Sequence, residues 1–355
     1  MPTVITDAAA ARSYTVMQLA FERAVKRYSD RLHESRYIFG GYPVLMRIVG
    51  DELARFITKP FSHLQVDKSD QDIPQLTVDL WDESDTGIRS QAGSLNDNGQ
   101  FTKITAISTD GRLVGQRLRN VVNCYDHNAR HIISSARWSD QISVYERCKP
   151  LARPLLEWHN DRNIQIIHAG LVGRDNMGVL FAGKSGSGKS TSALVCLCAG
   201  FQFLSEDYAG LQQIQDGSFV GHSVYNSVFF KTNDLARFPS FGPHIMKGLS
   251  HEEKCAVVLS QVFPGRLARA MPIRVLVLPR VLDTAHPKFY PASKGEALLA
   301  LGPSSLMQIP NRRLGARGLN QMAQLVERVP CYWLELGRDS TTIPDLVEGI
   351  LAEIT

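Results

Sequence analysis

The stretch GVLFAGKSGSGKSTSALVCLCAG, residues 178–200, carries most of the information about the fold. It reads as an apolar strand over 178–182, a Gly/Ser turn, and a helix over 189–200. Residues 183–190, GKSGSGKS, match GxxxxGK[ST] at every defined position. The spacing has a physical cause. Gly183, Gly186 and Gly188 let the backbone curl so that successive N–H groups point inward at a phosphate. Lys189 brings an ammonium to the β- and γ-phosphates, and Ser190 offers a hydroxyl to Mg²⁺. The following helix aims its positive end at the same anion. The expected nucleotide contacts run from Gly183 through Lys184, Ser185, Gly186, Ser187, Gly188, Lys189 and Ser190 to Thr191, with Lys184 and Ser185 as exposed filling. A chance Gly/Ser turn does not require a strand before it and a helix behind it. The motif therefore implies nucleotide binding and leaves the reaction open.

Outward from the loop, the next chemistry sits one short strand downstream. FQFLS, 201–205, ends in Glu206 and Asp207. A carboxylate at a strand end beside a phosphate loop can hold Mg²⁺ through water or take a proton from an attacking hydroxyl. Successive strand side chains point to opposite faces, so the two acids can divide these roles. A solvated turn is the competing reading. Upstream, IQIIHAGLV (164–172) is a near-continuous apolar strand, as strands buried on both faces are, and GRDN (173–176) turns it back toward the loop strand. His168 on that strand reaches the γ-phosphate or the acceptor if the two strands are neighbours. A histidine on an apolar strand is as readily a satisfied core residue, and position alone leaves both readings open.

The rest of the chain sets bounds. There are 355 residues, enough for two domains. Hydrophobic residues make up 44%, which supports a sizeable core and excludes disordered and fibrous classes. A net charge of +4 is too mild to call for a nucleic-acid or membrane partner. The six cysteines form no CxxC pair and no zinc spacing. Cys196 and Cys198, two apart on the loop helix, point to different faces as free thiols. MPTVITDAAAARSY lacks the pattern of a signal peptide, and no apolar run approaches the ~20 residues of a membrane span. The expected location is a reducing cytoplasm. Before residue 150 the pattern is α+β with antiparallel signals. It comprises a helix over 15–35, a strand over 42–49, a helix capped by Asp51 through Ile57, and a strand over 74–82. A polar loop over 83–100 follows, then β-rich stretches at 103–108 and 117–125 with a DGR turn between them. A helix over 149–160 opens the second region. Further strands are expected at 218–231, 273–281 and 331–336, and helices at 293–301, 318–328 and 342–354. The aromatics of YNSVFF, 225–230, are expected in strand core.

HAG (168–170), GKSGSGKST (183–191) and FLSED (203–207) together resemble the catalytic domain of bacterial HPr kinase/phosphorylase. The likeness is closest to the broader group that includes serine kinases of ribosomal peptide precursors such as lasso peptides. IRVLVLPR (273–280), SKGEALLAL (293–301) and VPCYWLEL (329–336) also fit, so the resemblance covers roughly residues 155–350. It implies an α/β P-loop kinase domain of HPr-kinase type over 151–355, a mixed sheet with flanking helices. An α+β N-terminal domain over 1–150, with no likeness to the HPr kinase N-terminal domain, precedes it and is expected to recognise the substrate. The resemblance further implies that Lys189 binds phosphate and Ser190 binds magnesium. Glu206 matches the general base, Asp207 helps the metal or the base, and His168 is the phosphate-side histidine. HPr kinases form hexamers, but their interface segments are not recognisable here, so the oligomeric state stays open, with a homo-oligomer among the options. Three departures stand out. Glu206 replaces an aspartate, the glycine-rich signature with its acidic metal ligand is not recognisable in 210–232, and the loop for the reverse reaction is absent. Lys231, Lys254 and Arg266 are the candidate cations for the migrating phosphoryl group.

The expected function is an ATP- and Mg²⁺-dependent kinase that phosphorylates a hydroxyl, a serine, of a peptide or small protein. Two alternatives stay open on sequence. One is a nucleotide-binding regulatory module with slow hydrolysis, which the lack of a water-positioning glutamine after the loop disfavours. The other is a kinase of a free small metabolite.

Overall fold

The computed structural model describes residues 2–67, 73–90, 104–246, 254–282, 284–306, 312–337 and 339–354. Most of the expected polar loop over 83–100, and the first residue of the stretch 103–108, lie outside them. The chain divides into two compact units, Met1–Asp161 and Arg162–Thr355.

The first unit is built from β1 (Thr3–Ile5), α1 (Asp7–Arg27), β2 (Leu32–Phe39), β3 (Tyr42–Val49), α2 (Asp51–Ile57), β4 (Gln65–Val66), β5 (Leu76–Asp82) and α3 (Glu83–Thr86). It continues with β6 (Ile104–Ser108), β7 (Leu113–Arg117), β8 (Val121–Asp126), β9 (His131–Ala136), α4 (Val144–Cys148) and α5 (Ala152–Asp161). The nine strands form one sheet in the order β1-β6-β7-β8-β9-β5-β3-β2-β4. The antiparallel signals hold for β6 to β9, but β3, β5 and β9 run parallel.

Several local expectations shift. The helix expected over 15–35 starts eight residues earlier, where the Thr6 side chain accepts from the Ala9 N–H. It stops at Arg27, because Leu32–Phe39 pairs residue for residue with β3 across the Gly40-Gly41 turn. Gly50, at φ 123°, is the N-cap of α2, and Asp51 sits inside its first turn. The β-rich stretch 117–125 is two strands, β7 and β8, and the DGR turn joins β6 to β7. The helix expected to open the second region belongs to the first unit. The Asp161 carboxylate at its end accepts from the Tyr125 hydroxyl at 2.7 Å and pairs with the His127 ring at 2.8 Å.

Under α1 the sheet carries a buried polar chain. Tyr14 Oη lies 2.6 Å from His131 Nδ1, His131 Nε2 lies 3.0 Å from Asp79, and Arg47 donates twice to the Asp79 carboxylate. Burial and the neighbouring Asp126 push the Tyr14 hydroxyl well above its ordinary value.

The second unit has β10 (Gln165–Arg174), β11 (Met177–Ala182), α6 (Lys189–Cys198), β12 (Gln202–Ser205), β13 (Tyr208–Gln213), β14 (Phe219–Ser223) and β15 (Ser227–Lys231). These are followed by β16 (Lys254–Val258), β17 (Ala270–Val281), β18 (Lys288–Pro291), α7 (Lys294–Leu306), α8 (Arg312–Arg328), β19 (Cys331–Leu336) and α9 (Ile343–Glu353). The main sheet is mixed. β10 runs antiparallel to β11, whereas β11, β17 and β19 run parallel. β17 pairs with β14 at its start and with β11 from Ile273 onward, so the ladder closes through β11, β10, β13, β14 and β17.

The strands are buried on both faces, as the apolar runs imply. Val179, Phe181, Val275 and Val277 pack with α6 and α9, while Leu180, Ala182, Leu276 and Leu278 pack with α7 and α8. Val228 and Phe230 sit in the first of these cores. The stretch 218–231 is two strands rather than one, with β15 paired to β16 in a separate ribbon. Among the described residues no helix is long and apolar enough to cross a membrane.

Candidate active site

The loop geometry follows from its glycines. Gly183, Gly186 and Gly188 take φ of 153°, 78° and 105°, values that side chains with a Cβ resist. At Gly188 a Cβ would also lie 2.0 Å from Leu336 Cδ1, so β19 packs directly against the start of α6. The loop closes on its own lysine. Lys189 Nζ donates to the carbonyls of Gly183 at 2.7 Å and Lys184 at 3.0 Å. Burial lowers the affinity of this ammonium for its proton, while the charges of Asp207 and Glu206 raise it. Ser187 Oγ is buried without a hydrogen-bond partner among the described residues. A buried hydroxyl left so beside the Lys189 ammonium's loop fits an arriving anion.

The two carboxylates reach the loop through an interruption in the sheet. β12 pairs with β10 as far as Ser205 opposite Leu171, and β13 resumes on the same strand with Tyr208 opposite His168. Glu206 and Asp207 occupy the gap between the two pairings and project in different directions. Glu206, 7% exposed, accepts from the Ser190 hydroxyl at 2.7 Å. Asp207 Oδ1 lies 2.9 Å from His168 Nε2, with both side chains about one-fifth exposed. The segment is pinned from behind. Ser205 Oγ donates to the Ala169 carbonyl and accepts from the Asp207 N–H, each at 3.2 Å.

β10 also needs support here. Its ladder with β11 begins only at Ala169, because β11 turns into the loop after Ala182. The His168 N–H donates instead at 3.1 Å to the Oγ of Ser305, a fully buried residue near the end of α7. Nothing in the sequence marks Ser305, since a serine late in an apolar helix carries no motif.

His168, Lys189, Ser190, Glu206 and Asp207 thus converge on one end of α6. The three candidate cations do not. Arg266 Nη1 donates to the carbonyls of Leu197 at 2.9 Å and Cys198 at 3.3 Å, which caps the far end of α6. Lys231 and Lys254 face each other, exposed, at the end of the β15–β16 ribbon. A cation that the sequence reading missed is nearer. Arg280, at the C-terminal end of β17, lines a cavity of about 600 Å³ beside Gly183, Lys184, Gly186 and Ser187.

Among the described residues no group of three or more His, Cys, Asp or Glu is arranged to hold a metal ion. The Ser190 hydroxyl and Glu206 carboxylate still fit Mg²⁺. This ion takes one or two protein oxygens and completes its shell with phosphate and water.

No protein-family model matches the chain, and no curated protein matches it. Among solved structures, the HPr(Ser) kinase/phosphatase from Coxiella burnetii is similar over 53% of this chain and 95% of its own length. The identity is 13% and the TM-score 0.28. A likeness of that degree carries no argument about activity, so a functional reading has to rest on the residues themselves.

Proposed function

We propose that this chain is a kinase that moves the γ-phosphoryl group of ATP to a hydroxyl, a serine hydroxyl on a peptide or small protein. One observation carries the reading. Two differently partnered carboxylates, Glu206 on Ser190 and Asp207 on His168, stand beside a complete phosphate loop. A nucleotide-binding switch needs the loop and a metal-side acid, and gains nothing from a second acid oriented by a histidine.

In this reading the loop amides and Lys189 hold the phosphates, and the Lys189 ammonium leaves the carbonyls of Gly183 and Lys184 for them. Ser190 and Glu206 hold Mg²⁺, which neutralises phosphate charge when bound. Asp207 takes the proton of the acceptor hydroxyl while the acceptor oxygen bonds to the γ-phosphorus. The bond from the γ-phosphorus to its bridging oxygen breaks, and ADP leaves. His168 orients Asp207 and stabilises its charge. The resemblance had suggested Glu206 as base and Asp207 as a helper of the metal or the base. The hydrogen-bond partners favour the exchange of those roles. The residues before 150 recognise the acceptor, and the chain works in the cytoplasm as a homo-oligomer.

The test is to incubate the protein with ATP, Mg²⁺ and candidate peptides and to follow intact mass. A gain of one phosphate on one peptide is expected. Lys189→Ala should lower that rate by about 10²-fold or more, through lost transition-state charge stabilisation. Unchanged transfer in Lys189→Ala would remove the proposal. Hydrolysis of ATP with no phosphoproduct would favour the switch.

A further inference from the structure

The phosphate loop has two flanks, and they differ chemically. β11 lies between β10 and β17. On the β10 flank stand His168, Asp207 and Glu206. On the β17 flank is the cavity of about 600 Å³, bounded by the loop, the end of β17, the outer side of α7 and Trp333 of β19. A triphosphate seated on the loop with its γ end at Asp207 has its α end, and hence its nucleoside, on the cavity flank. That volume suits a purine nucleoside.

The wall of the cavity is carbon. Pro279, Leu299, Ala300, Pro303 and Trp333 line it. Leu299 is 76% exposed and Val281, also in the wall, is 64% exposed. Two large aliphatic side chains left bare beside a phosphate loop call for an apolar cover.

The charged side chains that β17 and α7 give the wall are already committed. Arg280 donates to Glu335 at 2.6 Å and to the Tyr290 hydroxyl, and its guanidinium lies 4.9 Å from the centre of the Trp333 ring. Glu296 accepts from both the Ser293 N–H and its hydroxyl. Those two bonds and the Trp333 indole hold its carboxyl below the usual range. Lys184 is the remaining charged wall residue. A flexible ammonium finds the N7 acceptor that adenine and guanine share.

Resting on the kinase reading above, we infer that this cavity is the nucleoside subsite, and that it grips the base by apolar contact without reading any group that differs between adenine and guanine. The protein therefore uses ATP and GTP alike. Strong discrimination between bases needs buried polar groups that the wrong base leaves unpaired; among the described wall residues the uncommitted buried polar side chain is Ser187, which belongs to the phosphate loop and not to the nucleoside end of the cavity.

Calorimetric titration of the full chain in Mg²⁺ buffer tests this with three probes, ATP, GTP and inorganic tripolyphosphate. ATP and GTP should bind with Kd values within about threefold of each other. Tripolyphosphate should bind at least about tenfold more weakly, since it lacks the nucleoside. Leu299→Asp, at an exposed position, should weaken ATP and GTP to the level of tripolyphosphate and leave tripolyphosphate itself unchanged. Two results would overturn the inference alone: a preference for ATP over GTP beyond about thirtyfold, or a Leu299→Asp protein that binds ATP normally. Absence of tripolyphosphate binding, or tripolyphosphate binding untouched by Lys189→Ala, would instead overturn the phosphate-loop reading on which the inference stands.

Discussion

Two adjacent acids do different things because each meets a different partner. Glu206 bonds to the hydroxyl of Ser190, and Asp207 pairs with the ring of His168. The longer glutamate side chain suits the position that reaches across to α6, and the shorter aspartate suits the one beside its own sheet neighbour. This division predicts a split between substitutions. Asp207→Asn should lower kcat by about 10²-fold or more while leaving ATP affinity near its original value. Glu206→Gln should instead raise the Mg²⁺ concentration needed for half-maximal rate. Steady-state kinetics over a Mg²⁺ titration checks both, and the reverse pattern would restore Glu206 as the base. In the sequence, the loop residues are legible because their spacing is dictated by phosphate geometry. The partners of the acids are not, because a hydrogen bond between strands depends on register.

At the scale of the element, the kink between β12 and β13 matters most. Both strands pair with β10; in the break between them the Asp207 carbonyl still accepts from the Ala169 N–H at 3.2 Å, while the side chains of Glu206 and Asp207 turn to different partners. FQFLS reads clearly as a strand, but YAGLQQ (208–213) is short and half polar, so the resumption of pairing is hidden from pattern analysis. The following strand β14 carries a titration of its own. His222 is buried against Gly210 and lies 2.8 Å from the Gln212 side chain. Burial lowers its pKa from 6.5 to about 4. Below pH 6.5 the unfolded chain takes up a proton that the folded chain refuses. Stability therefore falls as pH drops through the window from 6.5 to about 4, and no further loss arises from this group below it. The shift corresponds to a loss on the order of 3 kcal/mol across the window. Urea unfolding at pH 7 and pH 4.5 should show a smaller drop for His222→Gln than for the original protein. An equal drop in both would place the pH sensitivity elsewhere.

Across the whole molecule, each of the two units carries its own core and its own partly buried polar device. In the first unit that device is the chain Tyr14, His131, Asp79 and Arg47, and in the second it is the loop with its two acids. Thiol chemistry reports on packing in both. Cys198 is exposed, and Cys124, Cys148, Cys196, Cys255 and Cys331 are buried. Burial pushes the thiols of Cys124 and Cys196 up to about 12. A thiol-reactive disulfide reagent should therefore modify one equivalent in the native protein, at Cys198, and all six in denaturant. The Cys198→Ser protein should be inert until unfolded. Rapid reaction of two or more native thiols would contradict the packing described.

By itself the sequence determined the strand, glycine loop and helix around residues 183–190, the apolar strands buried on both faces, and the ends of β3 and β19. Each of these is a local consequence of glycine conformation or of hydrophobic period. Tertiary structure alone decided which acid meets Ser190 and which meets His168. It likewise turned Arg266 to the far end of α6, set Ser305 behind His168, and opened an apolar cavity on the β17 flank. Those outcomes depend on contacts between residues 16 to 137 positions apart, such as Ser190 with Glu206 and His168 with Ser305, and no local preference encodes such a contact.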